Sequence, residues 1–117
     1  MNKKQFFRRL RKIRAKNKRS TFGKVKKKYS ALDNELSWRI FQLFPTEWSD
    51  EDRFRGMVVL TSHITILSIF YINLGMPKKE IVDRIYEFLR IDLDYYLGKK
   101  YIELYVSQVL ELQKLNS

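Results

Sequence analysis

Residues able to do acid–base, nucleophilic or metal chemistry are scarce in this chain. His63 is the one histidine, there is no cysteine, and the densest carboxylate group is the run Asp50-Glu51-Asp52. A lone histidine inside an apolar stretch is expected to be a hydrogen-bonded core residue, because a metal site needs several ligands at helical or hairpin spacing. Three consecutive carboxylates radiate in different directions from one helical turn, so helix capping explains them better than metal binding. No glycine-rich phosphate loop and no G-x-S-x-G element occurs. Without cysteine, disulfides, zinc knuckles and thiol chemistry are excluded. An enzyme is therefore not expected, and neither is a cofactor or a metal.

The chemistry the sequence does offer is charge. From Lys3 to Lys28 it reads KKQFFRRLRKIRAKNKRSTFGKVKKK, with no acidic residue. Residues 1–28 hold 14 of the 24 Lys and Arg, while the other 89 residues hold the remaining 10 and all 13 Asp and Glu, a net of −3. The formal +11 is thus a basic arm on a slightly acidic body. Such segregation is the footprint of a polyanion partner: nucleic acid first, an anionic membrane surface second. The bland alternative is a solvated tail. Arg8, Arg9, Arg11, Lys12, Arg14, Lys16, Lys18, Arg19, Lys24, Lys26, Lys27 and Lys28 are the candidate phosphate contacts. They would supply affinity by counterion release without reading sequence. The segment lacks the apolar core of a secretory signal and is too rich in lysine for an organellar transit peptide, so a cytoplasmic location is expected.

Helices must position these groups. The length of 117 residues fits one domain with a real core. Phe6, Leu10 and Ile13 recur at i, i+4, i+7 with Phe7 beside them, an amphipathic helix whose aromatics dock on something apolar while its guanidinium groups face out. Asn17–Lys28 reads as a flexible basic linker interrupted by Gly23. Ser30 with Asp33 opens a helix carrying Leu32, Leu36, Ile40 and Leu43, ended near Phe44 by Pro45. Ser49 followed by three carboxylates opens a long helix to about Leu74, with Gly75 as its stop and Pro77 beginning the next.

That long helix runs through 22 residues, 56–77, without Asp, Glu, Lys or Arg, close to a bilayer span. Thr61, Ser62, His63, Thr65, Ser68 and Asn73 weigh against spanning, and burial on most sides by neighbouring helices is the favoured expectation. Ile81, Val82, Ile85, Phe88 and Leu89 phase a helix to about Arg90. Asp92 or Asp94 would cap a last helix burying Leu93, Leu97, Tyr101, Leu104, Gln108, Leu112 and Leu115. Leu36, Leu67, Ile85 and Leu104 are expected in the core. The expected architecture is all-α: a small bundle of about four helices over residues 29–117, preceded by the amphipathic basic arm of residues 1–28.

Two helices joined by a short polar turn also fit a helix-turn-helix, whose second helix would present Tyr95, Tyr96, Lys99 and Lys100 to the major groove. On Glu80, Ile81, Val82, Ile91, Tyr95, Tyr96, Lys99 and Lys100, about a quarter of the chain, the sequence resembles the helix-turn-helix of phage late-gene transcriptional regulators of the ArpU and RinA kind. It departs from them at Tyr86 and Glu87, which lengthen the first helix, and at Gly98 inside the reading helix. A plain antiparallel helix pair fits the same residues. The resemblance implies a DNA-binding regulator or accessory factor of a phage or plasmid, with base reading by Tyr95, Lys99 and Lys100. Duplex DNA ranks ahead of RNA bound through the Arg-rich segment. Further back stand a membrane-associated protein using Phe6, Phe7, Leu10 and Ile13, and a protein-binding inhibitor or homodimer anchored by tyrosines 86, 95, 96, 101 and 105.

Overall fold

The computed structural model describes residues 1–17 and 30–115 of the chain, with side chains at 1–13 and 34–114. The architecture is all-α: α1 (Lys3–Asn17), α2 (Ser30–Phe41), α3 (Asp50–Asn73), α4 (Lys78–Glu87), a π-helical turn (Phe88–Asp92) and α5 (Lys99–Leu115). The α3 helix packs against α2, α4 and α5, the longest shared flank runs between α4 and α5, and α1 lies on α2.

The helix ends follow from local chemistry. Asn2 and Gln5 form a reciprocal capping box at the start of α1: the Gln5 N–H donates to Asn2 Oδ1 (2.8 Å) and the Asn2 N–H to Gln5 Oε1 (3.0 Å). Ser49 Oγ accepts the Asp52 N–H (3.1 Å), with Asp50, Glu51 and Asp52 at the positive end of the α3 dipole. At the other end Gly75 takes φ 79°, and Gly75 and Met76 donate back to Ile72 and Tyr71. That Schellman pattern needs a left-handed residue, which glycine supplies without strain. Pro77 sits one position earlier than expected, as the extended residue ahead of α4. Likewise α2 ends at Phe41, and residues 42–44 tighten into turns before Pro45. The Ser30–Asp33 cap falls on side chains outside the described set.

α1 is built into the body. Phe6 is 0% exposed and meets Phe41, Trp38 and Phe54 at ring-centroid distances of 5.0, 5.3 and 5.6 Å. Aromatic pairs at tilted or edge angles like these add to the area they bury. Leu10 is buried, Phe7 is partly buried against the core, and Ile13 stays half-exposed. The apolar surface that the aromatics dock on is the chain's own helix pair; the boundary at residue 28 lies outside the described residues.

Two expectations are corrected. The last helix does not start at Asp92 or Asp94. Asp94 takes a left-handed φ of 53°, which no helix tolerates, and residues 93–98 run outside regular structure before Gly98 accepts the first bonds of α5. Its buried face is therefore Ile102, Tyr105, Val106, Gln108 and Val109, with Leu97 buried just ahead of it, while Tyr101, Leu104 and Leu112 are only half-buried and Leu93 is exposed. Leu36 and Ile85 are in the core as expected, but Leu67 is half-buried like Leu104.

The second correction concerns α3. It is not enclosed on most sides: only 22% of its most apolar stretch is buried. Phe54, Met57, Leu60, Ile64 and Ser68 face inward. Its polar side chains are mostly satisfied by their own helix, Thr61 and Ser62 through the Val58 carbonyl and Ser68 through that of Ile64. The Tyr105 hydroxyl donates to the Thr61 carbonyl (3.0 Å) and meets Thr65 Oγ1.

Candidate nucleic-acid interface

With Phe6 and Leu10 turned inward, the charges of α1 divide into two sets. Arg9 belongs to the fold: its guanidinium lies 3.9 Å from the Phe54 ring centroid and pairs with Glu51 at 2.9 Å. That hydrogen bond, ahead of the nearby charges of Arg9 and Arg55, holds the Glu51 carboxyl below the usual glutamate range. Lys3 pairs with Glu35 at 2.9 Å. Lys4, Arg8, Arg11 and Lys12 remain, all exposed and without an acidic partner among the described residues. Their spacing of i, i+4, i+7, i+8 puts them in one row, about 12 Å long at 1.5 Å rise per residue.

Elsewhere among the described residues most basic side chains are engaged. Arg39 pairs with Glu35, Arg55 with Glu51, Lys78 with Glu103, Arg84 with Glu80 and Lys99 with Asp83, at 3.1–3.7 Å. Arg90 and Lys100 lie over Tyr96 and Tyr101, and Lys79 is exposed without a carboxylate. The α1 row is thus a concentrated strip of uncommitted cations. Arg14 and Lys16 continue α1 with side chains outside the described set, and Lys18, Arg19, Lys24, Lys26, Lys27 and Lys28 lie outside the described residues.

The second proposed contact group is arranged differently from the expectation. Tyr95 and Tyr96 precede α5 instead of lying on it, and the link from α4 is a π-helical turn closed by the Tyr95 N–H donating to the Leu89 carbonyl (2.8 Å). Tyr95 is half-buried, edge-on to Phe44 at 5.5 Å. Lys99 and Lys100 open α5 but are held by Asp83 and Tyr101. No contact among the described residues joins this group to the α1 row.

Sequence reading missed a third feature. Phe44, Trp48, Gly56, Val59, Leu93 and Tyr95 line an apolar groove of about 620 Å³ beside α3. His63 is on its wall, exposed and stacked flat on Phe88 (5.6 Å, 5°), and so is not a core residue. The groove needs the left-handed turn at Asp94 to fold Leu93 and Tyr95 back towards Phe44, and no pattern of spacing announces that. Among the described residues no cluster of three or more His, Asp or Glu is arranged to hold a metal. Comparison with protein-family models, with curated proteins and with solved structures finds no match to this chain.

Proposed function

We propose that the protein binds nucleic acid, duplex DNA ahead of RNA, through the cationic face of α1 continued by the basic segment to Lys28. It would act as a binding protein and not as an enzyme, in a regulatory or accessory role in the cytoplasm, with a phage or plasmid setting as the finer form of that role. The observation carrying this reading is the α1 row: Lys4, Arg8, Arg11 and Lys12 face solvent without acidic partners among the described residues, on a helix whose other side is fixed in the core. A docked helix presents its charges pre-ordered, so binding phosphates costs less conformational entropy than ordering a free tail would. Base reading by Tyr95, Lys99 and Lys100 is the weaker part of the proposal, since Tyr95 is packed against Phe44 and Lys99 is paired.

The test is a salt titration of the full chain and of an R8Q/R11Q/K12Q variant on duplex DNA, single-stranded RNA and anionic vesicles. If all three side chains contact phosphates, the variant loses up to ~2.7 from the slope of log affinity against log salt on duplex DNA. Unchanged affinity and slope would remove α1 from the interface. Tighter binding to RNA or vesicles than to duplex would replace DNA as the partner.

A further inference from the structure

A relay of charges and one ring connects the start of α1 to the start of α5 across α2. Lys3, the residue before Lys4, pairs with Glu35 on α2 at 2.9 Å. One turn further along α2, Arg39 turns its Nε towards the same carboxylate at 3.6 Å. The Arg39 guanidinium lies 4.2 Å from the centroid of the Tyr101 ring on α5, and Lys100 Nζ lies 5.4 Å from that same centroid. Arg39 and Lys100 are exposed, and Tyr101 is half-buried.

These cations are engaged but not neutralised. One carboxylate, Glu35, faces both Lys3 and Arg39, and Lys100 has the Tyr101 ring without a carboxylate among the described residues. A ring face attracts a cation and cancels none of its charge. Held on one ring, Arg39 and Lys100 repel each other, and an anion between them relieves that repulsion. Arg39 meets Glu35 only through Nε, beyond hydrogen-bond length, which leaves its Nη groups as the fork that suits a phosphate. Lys99, the neighbour of Lys100, is committed instead to Asp83 on α4 at 3.1 Å. Placement adds a second constraint. α2 packs against both α1 and α5, while α1 and α5 make no close backbone approach to each other, so they flank it. Contacting helices stand about 8–10 Å apart, which sets the α1 row and the Arg39–Lys100 pair ~10–20 Å apart. The B-DNA major groove, bordered by two phosphate backbones, is ~12 Å wide.

We propose that Arg39 and Lys100, gathered on Tyr101, form a second phosphate-binding point, so that the protein straddles duplex DNA with α1 on one backbone and the start of α5 on the other. The proposal rests on the nucleic-acid reading above and adds which side chains hold the second strand. α2 then lies over the groove between the two backbones, where the Glu35 carboxylate meets no phosphate. Lys99 takes no part. A single strand offers one line of phosphates and would have to turn back on itself to reach both points.

The experiment is a salt titration of the full chain beside R8Q/R11Q/K12Q, R39Q/K100Q, K100Q and K99Q, on a DNA duplex and on one of its strands alone. The substituted side chains are exposed, so the variants should melt with the wild type, and K100Q serves if loss of Arg39 disturbs the fold. On duplex, R39Q/K100Q lowers the slope of log affinity against log salt by up to ~1.8 and K100Q by up to ~0.9, while K99Q leaves it within error. On the single strand, R8Q/R11Q/K12Q lowers the slope and R39Q/K100Q does not. If the wild type binds duplex through α1 and both R39Q/K100Q and K100Q keep its slope, the second point is overturned and the reading of α1 stands. Equal losses from K99Q and K100Q overturn it too, because net charge alone would then be acting. Equal losses from R39Q/K100Q on duplex and single strand overturn the two-backbone arrangement. A wild type that binds neither nucleic acid removes the reading and the inference together.

Discussion

α1 and α3 each have one side in the core and one side facing outward, and the outward sides are opposites. Between Lys4 and Lys12, α1 presents four cations without an acidic partner among the described residues, whereas 56–77 on α3 and its end carry no charge at all. Charge acts at a distance, across a Debye length of about 8 Å at physiological salt, and stays effective with both partners hydrated. Apolar surface acts only on contact, once water has left. A protein with both faces separated in this way has one surface whose physics suits a hydrated polyanion and another whose physics suits a dry apolar contact. Salt should distinguish them most strongly. If about six phosphates are contacted, polyanion affinity falls on the order of 10³-fold between 50 and 200 mM salt. Any contact made through the apolar outer face of α3 should hold or tighten over the same range. Parallel loss of both in one titration would erase the distinction.

The next test removes the inner side of α1. Phe6 is fully buried among three other rings, so Phe6→Ala should cost about 3–5 kcal/mol, read from the denaturant midpoint. Deleting residues 1–28 should destabilise the remainder for the same reason. A truncated protein as stable as the whole would restore α1 to the status of a dispensable arm. Serine at Phe6 cannot serve as a pure binding probe, because it damages the fold.

Within α3, two isoleucines two residues apart make the contrast internal to one helix. Ile64 is 1% exposed and Ile66 is on the outer face. Ile64→Ala should cost about 2–5 kcal/mol. Ile66→Ala, measured at a concentration where the protein is monomeric, should stay within about 0.5 kcal/mol. Equal costs would mean that the outer face is already covered within the monomer.

These cases show what was legible in advance. The helix count, the Ser49 and Gly75 ends of α3 and the basic strip could be read because caps and charge are local signals. Burial of Phe6 could be guessed only as docking on something, since spacing says which side of a helix is apolar but not what meets it. The Asn2–Gln5 cap was legible and overlooked. The exposed stripe on α3 was not legible, because a helix apolar all round looks the same whether three neighbours cover it or four. The phase of α5 slipped because its start was placed at Asp92 or Asp94. With the true start at Lys99, Val106 and Val109 become the natural inward positions.

A smaller effect separates propensity from packing. Glycine inside a helix is disfavoured by ~1 kcal/mol relative to alanine, so Gly56→Ala should stabilise α3 if nothing stood near it. A Cβ there would lie 2.7 Å from Phe44 Cε1, and the Phe44 ring is itself packed on Trp48 and Tyr95. Displacing a packed ring costs about 1–3 kcal/mol. A net loss of about 1 kcal/mol is expected, together with a shallower groove. A net gain would show that Phe44 swings freely and that the groove wall is soft.

The smallest effect concerns the tie between the two helices. Glu51, half-exposed, carries a lowered pKa because Arg9 donates a hydrogen bond to it, with the charges of Arg9 and Arg55 adding to that. A folded-state value below the ordinary 4.5 means that the unfolded chain binds more protons across the interval between the two. Stability from this contact is therefore complete above the ordinary value and is lost as pH falls through the lowered one. The difference in melting temperature between wild type and Glu51→Gln should be small, since the pair is exposed to solvent and salt. It should be constant near neutrality and close up below about pH 4. Arg9→Gln should show the same closing on top of a pH-independent loss of its stack on Phe54, and the double variant should cost less than the sum of the two. If the difference persists unchanged in acid, the Arg9–Glu51 hydrogen bond is not what ties α1 to the start of α3, and the Phe6 ring cluster with the Arg9–Phe54 stack carries that junction by itself.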